Sequence, residues 1–277
     1  MTRTVVISGG TDGMGRAFAL ARLARGDTVF AIGSSADKGE ALTSAAGAAA
    51  DRLRFLRADL SSIAETERVI GEIGARTEAI DALVLFANRV TPHRIQTADG
   101  LERTFALYYL SRYLLAHRLT PLLARGTEPV IVSVSGVGVT KGEIQWADPQ
   151  LVEGYGAVRA QLQAGRANDL LGVDYAERFG ETVRFVHYHP GFTRSGDLSA
   201  LNPVARTLIR VLARFCARPV GESIAPIHDF VDHPPARPLT AIDRGRELPL
   251  TLPTLDPGNA RRLAALTEEL LAIRSIG

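Results

Sequence analysis

The chain has 277 residues, 46% of them apolar and 22% charged, with a formal net charge of +2. That balance excludes a polycation built for nucleic acid and an acidic interaction tail, and it leaves room for one large α/β domain with a real core. A single cysteine, Cys216, excludes an internal disulfide, suits a reducing cytoplasm and reads as a packed thiol in "VLARFCARPV".

In chain order, "MTRTVVISGG" runs directly into a strand pattern, so no signal peptide is expected, and no apolar run reaches membrane-spanning length. Apolar runs at 4–8, 28–32, 53–59, 82–87, 129–135 and 183–189 are rich in Val, Ile and Phe and bounded by turn residues. Such runs predict buried strands of a parallel sheet. The stretches 14–25, 37–49, 62–74, 99–123 and 151–179 between them predict helices. Gly26 reads as a helix stop, and Ser62 with Glu65 as a capping box. Past residue 195 the pattern loosens, and 259–273 predicts a closing amphipathic helix. The expected architecture is α/β: a Rossmann-type doubly wound sheet of about seven parallel strands flanked by helices. No repeat or linker divides it, so one domain is expected over 1–277. Residues 1–193 would form the dinucleotide-binding core, 194–235 a substrate-covering region and 236–277 a C-terminal strand and helix.

The first strand is followed by Gly9-x-x-x-Gly13-x-Gly15 and then a helix. Glycines let a backbone turn tightly and approach a diphosphate, and the helix N-terminus presents free N–H groups and positive dipole to that anion. The candidate cradle is Gly9, Thr11, Asp12, Gly13, Met14 and Gly15. This spacing resembles the short-chain dehydrogenase/reductase family. "ADL" at 58–60, "TADGLERTFALYYLSRYLLAHRLTPLL" and "HPGFTRS" at 189–195 extend the resemblance along nearly the whole chain, toward retinol-dehydrogenase-like members.

The resemblance implies that Asp59 and Leu60 border the adenine. It also implies that Ala87 and Asn88 close the fourth strand where the family reads "NNAG", and that Pro190, Gly191, Phe192 and Thr193 line the nicotinamide. The second strand ends "AIGSSADK" with no carboxylate at its tip. Ser34 and Ser35 can donate to a phosphate, with Lys38 and Arg16 as nearby cations, and this favours NADP(H) over NAD(H). The competing reading is that the serines only make a turn.

Family chemistry uses a tyrosine as acid/base, a lysine four residues on, a serine that orients the substrate oxygen and an asparagine that anchors a water. Here "YGAVR" offers Tyr155 with Arg159, which four-residue spacing would put on one helical face. Arginine can lower a phenol's pKa but cannot relay a proton. Tyr108 stands for the asparagine and Gly136 for the usual serine, so Ser135 serves only if the chain kinks at Gly136. The family's tyrosine precedes its Pro-Gly segment by roughly thirty residues. Tyr155 precedes Pro190 by 35, and the shorter count lands on Ala160 and Gln161, with Ala164 and Gly165 one turn later. Two registers thus stand: the catalytic set Tyr155, Ser135 and Arg159, or a Tyr–Arg pair lining the entrance.

His189 can meet substrate or a backbone carbonyl, and Trp146 can stack on a ring or close a loop. No His, Cys and acidic residues recur at metal-ligand spacing. The reading is an NADP(H)-dependent oxidoreductase moving a hydride between nicotinamide and a carbonyl/alcohol, or an activated double bond, of a small, mainly apolar molecule such as a secondary metabolite. The alternatives are a lyase, isomerase or cyclase on the same fold, and a non-catalytic nucleotide sensor. The expected partners are the small-molecule substrate and a second or further copies in a homodimer or homotetramer, with neither nucleic acid nor membrane.

Overall fold

The structure is a computed structural model, and it describes residues 2–191 and 219–274. Seven strands run parallel: β1 (Thr4–Ser8), β2 (Thr28–Gly33), β3 (Leu53–Arg57), β4 (Ala82–Leu85), β5 (Val130–Val134), β6 (Arg184–His189) and β7 (Leu239–Asp243). A two-residue strand, β8 (Arg246–Glu247), turns back antiparallel on β7. The order across the sheet is β3-β2-β1-β4-β5-β6-β7-β8. It reverses between β1 and β4, and in such sheets ligands bind in the crevice at the carboxyl ends of the strands where the order reverses.

Helices cover both faces, which is why the strands read as continuous apolar runs rather than alternating ones. On one face Val5, Ile7, Val29, Ala31 and Val132 pack against α1 (Gly13–Ala24), α2 (Ala36–Ala46) and α6 (Val220–Asp232) through Phe18, Leu23, Leu42, Ile224 and Ile227. On the other face Val6, Phe30, Ile32, Leu83 and Phe185 pack against four helices. These are α3 (Ile63–Gly74), α4 (Arg103–Phe105, Ala106–Leu110 and Ser111–Leu123 in succession), α5 (Ala157–Phe179) and α7 (Pro257–Arg274). Each fully buried Val, Leu, Ile or Phe contributes about 1.5–3 kcal/mol, so this two-faced burial is the main source of stability.

Three local features depart from the sequence reading. First, α4 begins at Arg103 rather than 99. The buried Glu102 carboxylate caps it, accepting from Thr104 N and Phe105 N at 2.7 Å each. It continues as a π-turn, Ala106–Leu110, and then as Ser111–Leu123. Secondly, only half of the capping box forms: Ser62 Oγ accepts from Glu65 N, while the Glu65 carboxylate accepts from Asp59 N. Thirdly, the described part of 194–235 begins with a helix packed on the sheet. Ile224, Ile227 and Val231 of α6 are buried against the sheet, and His228 stacks on Phe18.

Candidate functional site

The glycines of the first turn are there for space. Gly9 has φ +70, and a Cβ on it would stand 2.9 Å from Ala87 N; a Cβ on Gly15 would stand 2.2 Å from Gly9 O. Only residues without a side chain let β1, the start of α1 and the end of β4 approach this closely. Gly33 gives Thr11 the same room, since a Cβ would stand 2.4 Å from Thr11 Oγ1. Met14 sits half-buried in the first turn of α1. The result is a cradle of backbone amides at a helix N-terminus, which fits a dinucleotide's diphosphate.

Asp12 is the N-cap of α1, accepting from Gly13 N at 2.8 Å, and its other oxygen holds Lys38 Nζ at 2.5 Å. The carboxylate is drawn to the positive end of the helix, where a phosphate would also be drawn, and Lys38 offsets its charge. Beside this pair Ser35 Oγ caps α2, accepting from Lys38 N, and exposed Ser34 receives Arg57 Nε on its carbonyl at 3.4 Å. Ser35 therefore makes the turn that the competing reading assigned to it, while Lys38 and Arg57 bring positive charge to the end of β2. Asp59 Oδ1 accepts from Ser61 N and Oγ, and Leu60 is buried behind it.

The reaction end is organised differently. Arg112 lies fully buried on α4 and donates to Ser133 Oγ at 2.8 Å, Val134 O at 3.1 Å and Ala87 O at 3.2 Å. It bolts the ends of β4 and β5 together where the family uses asparagines. The Tyr108 ring lies against its guanidinium, 4.7 Å away. Burial costs Arg112 some of its basicity, bringing its pKa to about 10. Burial also raises the Tyr108 phenol above its ordinary value, against the pull of Arg112.

The expected catalytic trio is not brought together. α5 starts at Ala157, so Tyr155 precedes the helix and Arg159 lies in its first turn; they do not share a helical face. The physical cause is the "LVEGYG" segment. Leu151 and Gly154 take positive φ, and Asp148 holds Val152 N and Glu153 N at 2.9 Å each, so the chain loops there. Tyr155 OH donates to Thr91 O at 2.6 Å. Its pKa is raised, burial leading, with no contribution from Arg159. Arg159 donates to Gly154 O at 2.9 Å and Gln145 Oε1 at 2.7 Å. Ser135 stands at a bend just past β5, where its N–H donates to Tyr188 O at 3.0 Å and its Oγ is buried with no partner among the described residues.

Gln161 Nε2 donates to Asn88 Oδ1 and Arg89 O, and Asn88 Nδ2 donates back to Gln161 Oε1, all at 3.1–3.2 Å. A half-open cavity of about 120 Å³ is lined by Tyr108, Gly136, Lys141, Gln161, Gly165 and Asp169, among others. Counting back from Pro190 pointed to Gln161 and Gly165. Nothing in the sequence pointed to Asp169 or Arg112, because their roles depend on burial.

Other residues resolve plainly. His189 Nδ1 pairs with Asp243 Oδ1 at 2.8 Å rather than with a carbonyl. His187 Nε2 meets Asp169 O at 3.2 Å, and burial lowers its pKa to about 4. Trp146 closes its loop beneath the Arg262 guanidinium of α7, 4.1 Å from the ring. Pro190 is buried and Gly191 has φ +85, immediately beyond β6. Phe192, Thr193 and Cys216 lie outside the described residues. Among the described residues no helix is long and apolar enough to cross a membrane, and no group of three or more His, Cys, Asp and Glu could hold a metal ion.

The fold and the glycine cradle define a dinucleotide-binding protein of the doubly wound class. A family model for short chain dehydrogenase matches residues 3–148, and the chain belongs to that family of nicotinamide-dependent oxidoreductases. It is 31% identical, over 70% of its length and 67% of the relative's, to a Streptomyces sp. (strain C5) protein named as a daunorubicin C-13 ketoreductase, DnrU. It spans 60% of an oxidoreductase of Penicillium decumbens and 54% of a WW domain-containing oxidoreductase of Drosophila melanogaster. Among solved structures, an uncharacterized protein from Mycobacterium Paratuberculosis superposes with TM-score 0.73 at 22% identity, covering 97% of this chain and 92% of that one. A short chain dehydrogenase from Shigella flexneri complexed with NADP gives TM-score 0.64 at 18% identity, covering 88% and 97%.

Proposed function

We propose that this protein is an NADP(H)-dependent oxidoreductase that moves a hydride between nicotinamide and a carbonyl/alcohol, or an activated double bond, of a small, mainly apolar substrate. The observation that carries the reading is the cradle at the end of β1, with room at Gly9 and Gly15 that any side chain would fill. Lys38 and Arg57 at the end of β2, with no acidic residue ending that strand, favour a 2′-phosphate over bare ribose hydroxyls. The ketoreductase name of one relative suits the carbonyl half of the reading. Exposed Val90, Ile95, Val139 and Val152 all leave the carboxyl ends of β4 and β5, which suits an apolar substrate. A homodimer or homotetramer would pair away from the face of α4 covered by α7, where Tyr109 OH and Thr267 Oγ1 lie 2.7 Å apart.

The test is fluorescence titration with NADPH and NADH, followed by NADPH consumption against ketones, aldehydes and enones. Saturable NADPH binding tighter than NADH, with turnover of a carbonyl or enone, is the expected result. A second reading has its own observation: Gly136, Gln161 and Gly165 line the cavity where a serine, a tyrosine and a lysine are expected. A protein so altered acts as a lyase, isomerase or cyclase that holds the coenzyme without spending it. NADPH that binds but is consumed with no member of the panel selects that reading.

A further inference from the structure

We propose that Asp169, with Tyr108 beside it, is the acid/base residue of the cavity between α4, α5 and the segment after β5, and has taken over the proton chemistry that the family gives to a helix tyrosine. This rests on the reading that the cavity is the reaction pocket.

The geometry begins with what is missing. Gly136 and Gly165 contribute no polar side chain to the cavity, and the Gln161 amide is committed to Asn88 and Arg89. None of these three can give a proton. Asp169 can. Asp169 lines the cavity yet is only 1% exposed. One oxygen, Oδ2, is fixed by the Gly138 amide at 3.3 Å. The other, Oδ1, is buried with no hydrogen-bond partner among the described residues. A buried carboxyl oxygen left unpaired costs free energy, which a water or a substrate group entering the cavity would relieve.

The charges around it are few. From α5 itself Arg166 Nε stands at 3.9 Å, beyond hydrogen-bond reach, and that guanidinium donates instead to Val139 O. From α4 come Tyr108 and, behind it, Arg112. Lys141 is exposed at the mouth, and His187 on β6 meets only the Asp169 carbonyl. Burial outweighs Gly138 and Arg166, so the carboxyl is held at about 7 rather than in the usual carboxylate range. A carboxyl poised near neutrality is what general acid catalysis needs. Tyr108 sits on the π-turn of α4, and a negative Asp169 opposes its ionisation, so it stays a neutral donor beside the acid.

Reduction of a carbonyl consumes one hydride, which a reduced nicotinamide supplies in the reading above, and one proton, which this cavity must supply. The Asp169 O–H breaks as the alcohol O–H forms. The carboxylate left behind takes its next proton from water entering the half-open cavity.

The first experiment needs no turnover. In protein labelled with carboxyl-carbon-13 aspartate, one signal should titrate with a midpoint near 7 and vanish in Asp169→Asn. The Gly138 amide shift should follow the same midpoint in the unaltered protein, so the test survives if the variant fails to fold. An Asp169 that titrates below about 5, in the ordinary carboxylate range, overturns the proposal. In kinetics with NADPH and a turned-over carbonyl, Asp169→Asn should lower kcat about a hundredfold or more while leaving coenzyme affinity unchanged, as loss of a general acid does. Because the acid must be protonated, the unaltered enzyme's kcat should fall as pH rises through about 7, and the variant should lose that limb. A variant with undiminished kcat overturns the proposal. A midpoint near 7 in a protein that reduces neither a carbonyl nor an activated double bond leaves Asp169 as an acid/base group but removes the oxidoreductase reading.

Discussion

The carboxyl ends of β1 and β5 lie close together across the sheet but are built from different material. At β1 the working groups are backbone amides, given access by glycines whose Cβ would collide with Ala87 N or Gly9 O. At β5 they are side chains, and the cavity there is lined by Tyr108, Gly136, Gln161, Gly165 and Asp169 among others. The contrast teaches that a diphosphate cradle tolerates almost no substitution, because it is a matter of room and of peptide groups every residue carries. A reaction pocket can exchange one proton donor for another, provided some buried acid remains. Arg112 marks the boundary, holding the ends of β4 and β5 together whatever the chemistry between them.

Four substitutions would sharpen or break this contrast. The largest effect is expected at the boundary. Arg112→Met would leave three buried acceptors unpaired, at about 1 kcal/mol each, and so lower unfolding free energy by about 3 kcal/mol; urea denaturation measures it, and an unchanged midpoint would show that the bolt carries no load. Next comes the cradle. Gly15→Ala would force a Cβ against Gly9 O, an overpacking cost of about 1–3 kcal/mol. NADPH affinity should fall roughly tenfold or more, read by fluorescence titration, with the fold monitored by circular dichroism.

A smaller effect is expected at the end of β2. Lys38→Ala should weaken NADPH by roughly tenfold, one charge-assisted contact in a solvent-exposed position, and leave NADH nearly unchanged. Equal weakening of both coenzymes would show that Lys38 serves only Asp12. The smallest belongs to the pair that the sequence put forward first. Tyr155→Phe should cost about 1 kcal/mol of stability through the lost bond to Thr91 O and change kcat less than twofold. A hundredfold loss of kcat would restore Tyr155 as the acid and collapse the contrast drawn between the two strand ends.

The legibility of these regions follows the same division. The strands of 4–8, 28–32 and 82–87 could be read because both sheet faces are covered, which writes a continuous apolar run into the sequence. Gly9, Gly13 and Gly15 could be read because one spacing serves one geometry. The geometry of "YGAVR" was not legible, because helical periodicity says which residues share a face only once the helix is known to include them. Asp148 and Gly154 stop that helix short through contacts made outside it.

The amino-acid sequence alone determined the layer order, the nucleotide-facing turn and the family, since these rest on local pattern and on backbone freedom. Tertiary structure alone decided which side chains meet at the end of β5. Whether Asp169 is a solvated surface acid or a buried one with an unpaired oxygen depends on what α4, β6 and the loop at Gly138 remove from water around it, and desolvation is a property of neighbours that no residue carries in its own position along the chain.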